Sequence, residues 1–110
     1  MEIKKIDKKK FIIVKVSGRL DASTAPLYEE KCRSFIVEGH NKMIIDLNDL
    51  EYISSAGLRS ILSIGKKIKS NNGKYLFCNL QPMVSDVFKI SGFNAIFPVF
   101  NTLEDAIEEI

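Results

Sequence analysis

Two kinds of apolar pattern alternate along this chain: short, nearly unbroken runs, and longer stretches in which apolar residues recur every three or four positions. Met43-Ile44-Ile45-Asp46-Leu47 is the clearest of the first kind. A β-branched run of that length reads as a strand buried on both faces, as in a parallel or mixed sheet with helices packed on it. Asn48-Asp49 then signals a turn, because both side chains bond to nearby backbone. From Ser55 onward, Leu58, Ile61, Ile64/Gly65 and Ile68 keep helical spacing, which predicts an amphipathic helix of about four turns. Ser54 and Ser55 fall where that helix begins, the place at which a hydroxyl caps free backbone amides. One hydroxyl suffices for a cap, and here there are two, followed by Ala56-Gly57. That small pair strips bulk from the first turn at a cost in helix propensity, as expected if a hydroxyl is kept accessible to a large partner.

The remaining segments fall around this one. Ile3 to Ile6 and Phe11 to Ser17 read as strands joined by a solvated lysine turn, Lys8-Lys9-Lys10. Gly18-Arg19-Leu20-Asp21 leads into a helix that Ser23 or Thr24 is expected to cap and in which Pro26 suits the first turn. Its stripe is Tyr28, Cys32, Phe35 and Ile36, and it ends near Gly39. After the serine helix, Asn71-Asn72-Gly73 closes the turn and Tyr75 to Cys78 is a further strand; a strand–helix–strand unit of this length predicts a parallel pair. Gln81-Pro82 opens a helix with Val84, Val87 and Phe88 inward, ending at Ser91-Gly92. Ala95 to Phe100 reads as a final strand, placed at an edge by Pro98. Thr102 caps a last helix whose expected buried stripe is Leu103, Ala106, Ile107 and Ile110. The order ββαβαβαβα predicts one α/β domain over residues 1–110, with a mixed sheet packed against about four helices and the serine loop at a strand's carboxyl end.

Composition narrows the function. Hydrophobic residues at 45% and charged residues at 27% describe an ordinary globular domain. A net charge of +2 gives no case for nucleic acid, and no apolar run approaches a membrane span. The first residues are charged and carry no signal-peptide core, so the expected location is the cytoplasm. Cys32 and Cys78 lie too far apart for a metal or redox motif and read as buried free thiols. His40, the only histidine, reads as an exposed turn residue and offers neither a zinc cluster nor, without a neighbour in sequence, a base for a serine nucleophile. No phosphate loop or kinase motif is present, so the chain is not expected to be an enzyme, and no cofactor or metal is expected.

The segment LNDLEYISSAGLRSIL resembles the signature of STAS-domain anti-sigma-factor antagonists, and Gly18-Arg19-Leu20-Asp21-Ala22 is similar to that family's early Gly-x-Leu-Asp element. The resemblance implies partner switching. On that resemblance the unphosphorylated protein is expected to bind an anti-sigma factor that is also a serine kinase and so free the sigma factor, phosphorylation to release it, and a serine phosphatase to reset it. Matching Gly57-Leu58 to the family's Gly-Leu puts the phosphoacceptor at Ser55, with Ser54, where the best-studied members commonly carry Asp, as the alternative. The implied partner surface comprises Asp21, Ser23, Thr24, Asn48, Ser54, Ser55, Ala56, Gly57, Leu58 and Arg59. Asp21 and Asp46 are the acids expected nearest the loop. The other reading is a STAS signalling scaffold or a small-ligand or nucleotide sensor without sigma-factor control.

Overall fold

An antiparallel hairpin opens the computed structural model, which describes residues 1–110: Glu2–Asp7 (β1) pairs along its length with the first part of Ile12–Leu20 (β2). The lysines between them are solvent-exposed, as a charged tip between strands requires. Then follow Ala25–Val37 (α1), Lys42–Asp46 (β3), Leu50–Ile53 (β4), Ser55–Ser70 (α2), Lys74–Cys78 (β5), Pro82–Ile90 (α3), Val99–Phe100 (β6) and Leu103–Glu109 (α4). The main path of the sheet is β1-β2-β3-β5-β6, and every pair after the first is parallel. The predicted α/β class, the mixed sheet and the four helices are therefore present, with one strand more than the predicted order contains.

That strand is β4. Residues 50–53 read as part of a polar loop, but they pair in parallel with the far half of β2, past a register shift at Gly18/Arg19. β2 correspondingly runs three residues beyond Ser17 and carries two partners end to end, β3 against Ile12–Lys15 and β4 against Gly18–Leu20. Leu50 and Ile53 are buried while Glu51 is exposed and Tyr52 half-buried, so a four-residue segment has too little alternation to announce itself.

The sheet's two faces bury different cores. Ile12, Val14 and Val16 of β2, with Met43, Ile45 and Phe77, face α1, α2 and α3 in the larger cluster. Ile44, Leu76 and Cys78 face α4 in a smaller one, through Ala106. Buried on both sides, β3 and β5 need the near-continuous apolar runs that the sequence carries. In α4, Ile107 is exposed rather than part of the buried stripe, which reduces to Ala106 flanked by the half-buried Leu103 and Ile110; a seven-residue helix turns too little surface to the sheet to hide all four.

Residues 95–98 depart from the expected strand. Phe93–Ala95 forms a 3-10 turn, and only Val99 and Phe100 join the sheet. Phe93 and Phe97, four apart, both turn inward against Phe77, Phe88 and Tyr75 in a set of tilted and edge-on rings 4.8–5.7 Å apart. Edge-on aromatic packing of this kind outweighs strand propensity at the site. Beneath α1, the hydroxyls of Tyr28 and Tyr75 share a buried hydrogen bond. Both cysteines are free and buried, and desolvation pushes each thiol up to about 12. His40 lies in the expected turn but is half-buried rather than exposed, 3.9 Å from the Glu38 carboxylate.

Candidate functional site

β2 and β4 end side by side, with Leu20 opposite Ile53, and each runs straight into a turn that starts a helix. The amide N–H of Ser54 donates to the Leu20 carbonyl (3.0 Å), which ties the two turns together. Asp21 and Ser54 are consequently neighbours, although 33 positions separate them in sequence.

In the serine turn the two hydroxyls have different duties. Ser54 is extended (φ −105°, ψ 176°) and acts as the N-cap of α2; its Oγ accepts from the Gly57 N–H at 3.3 Å. Ser55 is the first helical residue, exposed, and its hydroxyl makes no hydrogen bond within the protein. Arg59 stands one helical turn further on, on the same face of α2, exposed and without an ion pair. No acidic residue occupies the first turn of α2, so the positive end of the helix is uncompensated beside Ser55.

Gly57 has a packing role within the fold. It is buried, and a Cβ there would lie 2.5 Å from the Leu20 carbonyl oxygen and 2.9 Å from the Ile53 side chain. The missing side chain lets α2 settle onto the ends of β2 and β4. Leu58 packs against the large core cluster, half-buried, and Ala56 is also half-buried.

The neighbouring turn is closed on itself. The Asp21 carboxylate accepts from the Ser23 amide (3.0 Å), the Ser23 hydroxyl (2.7 Å) and the Thr24 amide (3.3 Å). The Thr24 hydroxyl donates to the Arg19 carbonyl (2.8 Å) while accepting from the Asp21 N–H (2.9 Å). The expected side-chain cap of α1 by Ser23 or Thr24 is therefore not made; the Asp21 carboxylate instead bonds the amides of the turn that precedes the helix. The Ser23 hydroxyl bond, followed by the amide bonds, holds the Asp21 carboxyl below its usual range against the opposing pull of desolvation.

Arg19 was not singled out from the sequence. Its guanidinium lies over the Tyr52 ring at 4.1 Å, a cross-strand pair in register, with Nε 3.8 Å from Asp21. Only the pairing of β2 with β4 makes these neighbours, so no local signal exists for it.

Asn48 and Asp46 are not brought to the serines. Asn48 lies at the other end of β4, where its carbonyl accepts from Gln81 (2.7 Å) and its side chain donates to Asp49 (3.1 Å). Asp46 is buried on the α4 side of the sheet, accepting from the Asn48 amide and the Asn79 side chain, with Lys15 at 3.8 Å. Strand alternation sends its side chain to the face opposite that of Ile45 and hence away from α2. His40 is equally distant: the adjacent Asn41 bonds to the Asn71 carbonyl at the far end of α2, so no Ser55–His40 pair forms.

The STAS domain family model matches residues 2–106. The chain is a STAS-domain protein of the anti-sigma factor antagonist family. A candidate anti-sigma factor antagonist of Bordetella bronchiseptica, BtrV, is 38% identical over 95 residues, spanning 86% of this chain and 82% of that protein. The crystal structure of a candidate anti-sigma factor antagonist from Thermotoga maritima superposes with a TM-score of 0.93 at 25% identity, covering 98% of this chain and 93% of the other. The Bacillus cell-fate determinant SpoIIAA in its phosphorylated form shares the fold (TM-score 0.76, 20% identity, 98% of each chain). No helix of this STAS domain is long and apolar enough to cross a membrane.

Proposed function

We propose that this protein is a partner-switching anti-sigma factor antagonist whose switch is phosphorylation of Ser55. The unphosphorylated form binds an anti-sigma factor that is also a serine kinase; the phosphorylated form does not, and a serine phosphatase restores binding. The observation that carries the assignment is the division of labour in the serine pair. Ser54 is committed to the helix cap, whereas Ser55 presents an exposed hydroxyl with no partner. The kinase would supply base, metal and nucleotide, and this chain the acceptor.

A phosphate on Ser55 meets free amides and the positive end of α2, with Arg59 one turn away, so the domain itself tolerates it. The charge, about −1.5 to −2, acts on the partner instead. Asp21, Ser23, Thr24 and Arg59 are exposed or half-exposed on the two turns and the helix start that the Ser54–Leu20 bond ties together beside the acceptor, which supports a single docking surface there; Asn48 lies at the other end of β4. Burying a dianion against an apolar or acidic partner surface costs several kcal/mol, enough to reverse binding.

The test combines mass spectrometry with binding. Trypsin releases Met43 to Arg59, which contains both serines; a phosphatase-sensitive phosphoryl group on Ser55 is expected in protein from its own cells. Ser55→Asp is expected to weaken the partner complex about 100-fold, or about 2.7 kcal/mol, and Ser55→Ala to keep it intact in the presence of ATP. Modification confined to Ser54, or unchanged binding by Ser55→Asp, overturns the assignment.

A further inference from the structure

At the β6 edge the sheet is incomplete. β6 pairs only with Phe77 and Cys78 of β5, leaving Lys74–Leu76 without a strand partner on that side. The N–H of Phe77 donates to the Pro98 carbonyl (3.0 Å) and that of Asn79 to the Phe100 carbonyl (3.3 Å), so N–H groups two residues apart point outward at this edge. By the same alternation the Tyr75 N–H and carbonyl face outward with no strand opposite them. A groove of about 580 Å³ opens at this gap and reaches both faces of the sheet. Leu62 and Gly65 of α2 line it on one side and Leu76 and Glu109 on the other, and Ile96, Phe97 and Pro98, which lead into β6, line it as well, the Phe97 ring lying against Gly65. The opposite edge is treated differently: in β1, four of six residues are charged (Glu2, Lys4, Lys5, Asp7), the usual guard against strand addition.

Charge identifies the kind of occupant. Three lysines, Lys66, Lys69 and Lys74, line the groove against a single carboxylate side chain, Glu109. Lys74 is held at 3.3 Å from the Glu109 and Ile110 carbonyls, whereas Lys66 and Lys69 are exposed and unpaired. A second copy of this chain docking by the same edge would bring these lysines face to face. We propose that the gap receives an extended segment of a partner protein. The segment adds as a short strand beside Lys74–Leu76, places apolar side chains on both faces of the sheet, and meets Lys66 and Lys69 with its carboxylates. This surface lies on the distal half of α2 and is independent of Ser55.

The experiment is a fluorescence anisotropy titration with a labelled octapeptide in which four alternating valines and isoleucines are flanked by aspartate–glutamate pairs. Saturable binding that weakens with salt is expected, together with slower hydrogen exchange of the Tyr75 amide in the bound form. The double variant Lys66→Glu/Lys69→Glu, with both positions exposed on a helix, is expected to lose about tenfold or more in affinity while keeping the wild-type circular dichroism. Ser55→Asp is expected to bind the peptide as wild type does, which separates this site from the serine surface. Absence of saturation, equal binding of a peptide with lysines in place of its acids, or protection of Tyr75 by self-association of the protein would each overturn the proposal.

Discussion

The turns that follow β2 and β4 lie side by side, leave parallel strands in the same direction and each begin a helix, yet they treat their hydroxyls in opposite ways. Around Asp21 the side-chain oxygens of Ser23 and Thr24 are consumed internally by the carboxylate and by the Arg19 carbonyl. Around Ser54 one hydroxyl is consumed and the next is left free. The comparison separates a turn whose hydroxyls are all bonded internally from one that leaves a hydroxyl exposed and unbonded, using residues of the same chemical type. Serine at a helix start therefore says little until its bonds are counted.

Substitutions can break or sharpen this contrast. The largest effect is expected at the joint between the turns. Gly57→Ala forces a methyl group to within 2.5 Å of the Leu20 carbonyl oxygen, and backbone cannot yield as a side chain can. A loss of about 2–3 kcal/mol is expected in urea unfolding, with an unchanged m-value.

At the internally bonded turn, Asp21→Asn keeps an acceptor and removes the charge, so a smaller loss is expected. Its signature is pH. Because the folded carboxyl is held below its usual range, the stabilisation from the ionised form is complete above the unfolded carboxylate range and disappears as pH falls through the folded value. The stability gap between wild type and Asp21→Asn is expected to stay constant from about pH 7 to 5 and to close below about pH 4. A gap that widens in acid contradicts the assigned geometry.

The smallest pair is the most diagnostic. Ser54→Ala removes a cap with a long bond and is expected to cost about 0.5–1 kcal/mol. Ser55→Ala removes no bond and is expected to change stability by no more than a few tenths of a kcal/mol, since alanine favours the helix interior. Equal losses from the two would mean that both hydroxyls serve the fold.

Much of the architecture was legible because it follows from local period. The runs at Met43–Leu47 and Tyr75–Cys78 and the stripe Ile61, Ile64, Ile68 lie where burial from both sides or on one helical face demands them. What escaped depends on partners distant in sequence. β4 exists only because β2 is long enough to carry a second strand. Residues 95–98 are apolar enough for a strand, but Phe97 is drawn into an aromatic cluster assembled from three other segments. The same rule divides the site. Gly57 was visibly unusual, but its actual neighbour, the Leu20 carbonyl, is 37 positions away. Asp21 was expected near the serine loop and lies beside it, but its bonds to Ser23 and Thr24 and the free hydroxyl of Ser55 emerge only from the folded turns.

Keeping the cap on Ser54 also has a bearing on the protein's lifetime in the cell. A switch whose modified residue held the first turn of its helix together would fray whenever it was modified, and degradation would then follow the signal. Here the group that anchors α2 is not the group that would carry the phosphate. Both forms would then open locally with about the same free energy and be equally resistant to proteases that sample opened states. The pool of protein would stay constant while its state changes, and the proposed signal would be carried by the ratio of the two forms and not by abundance.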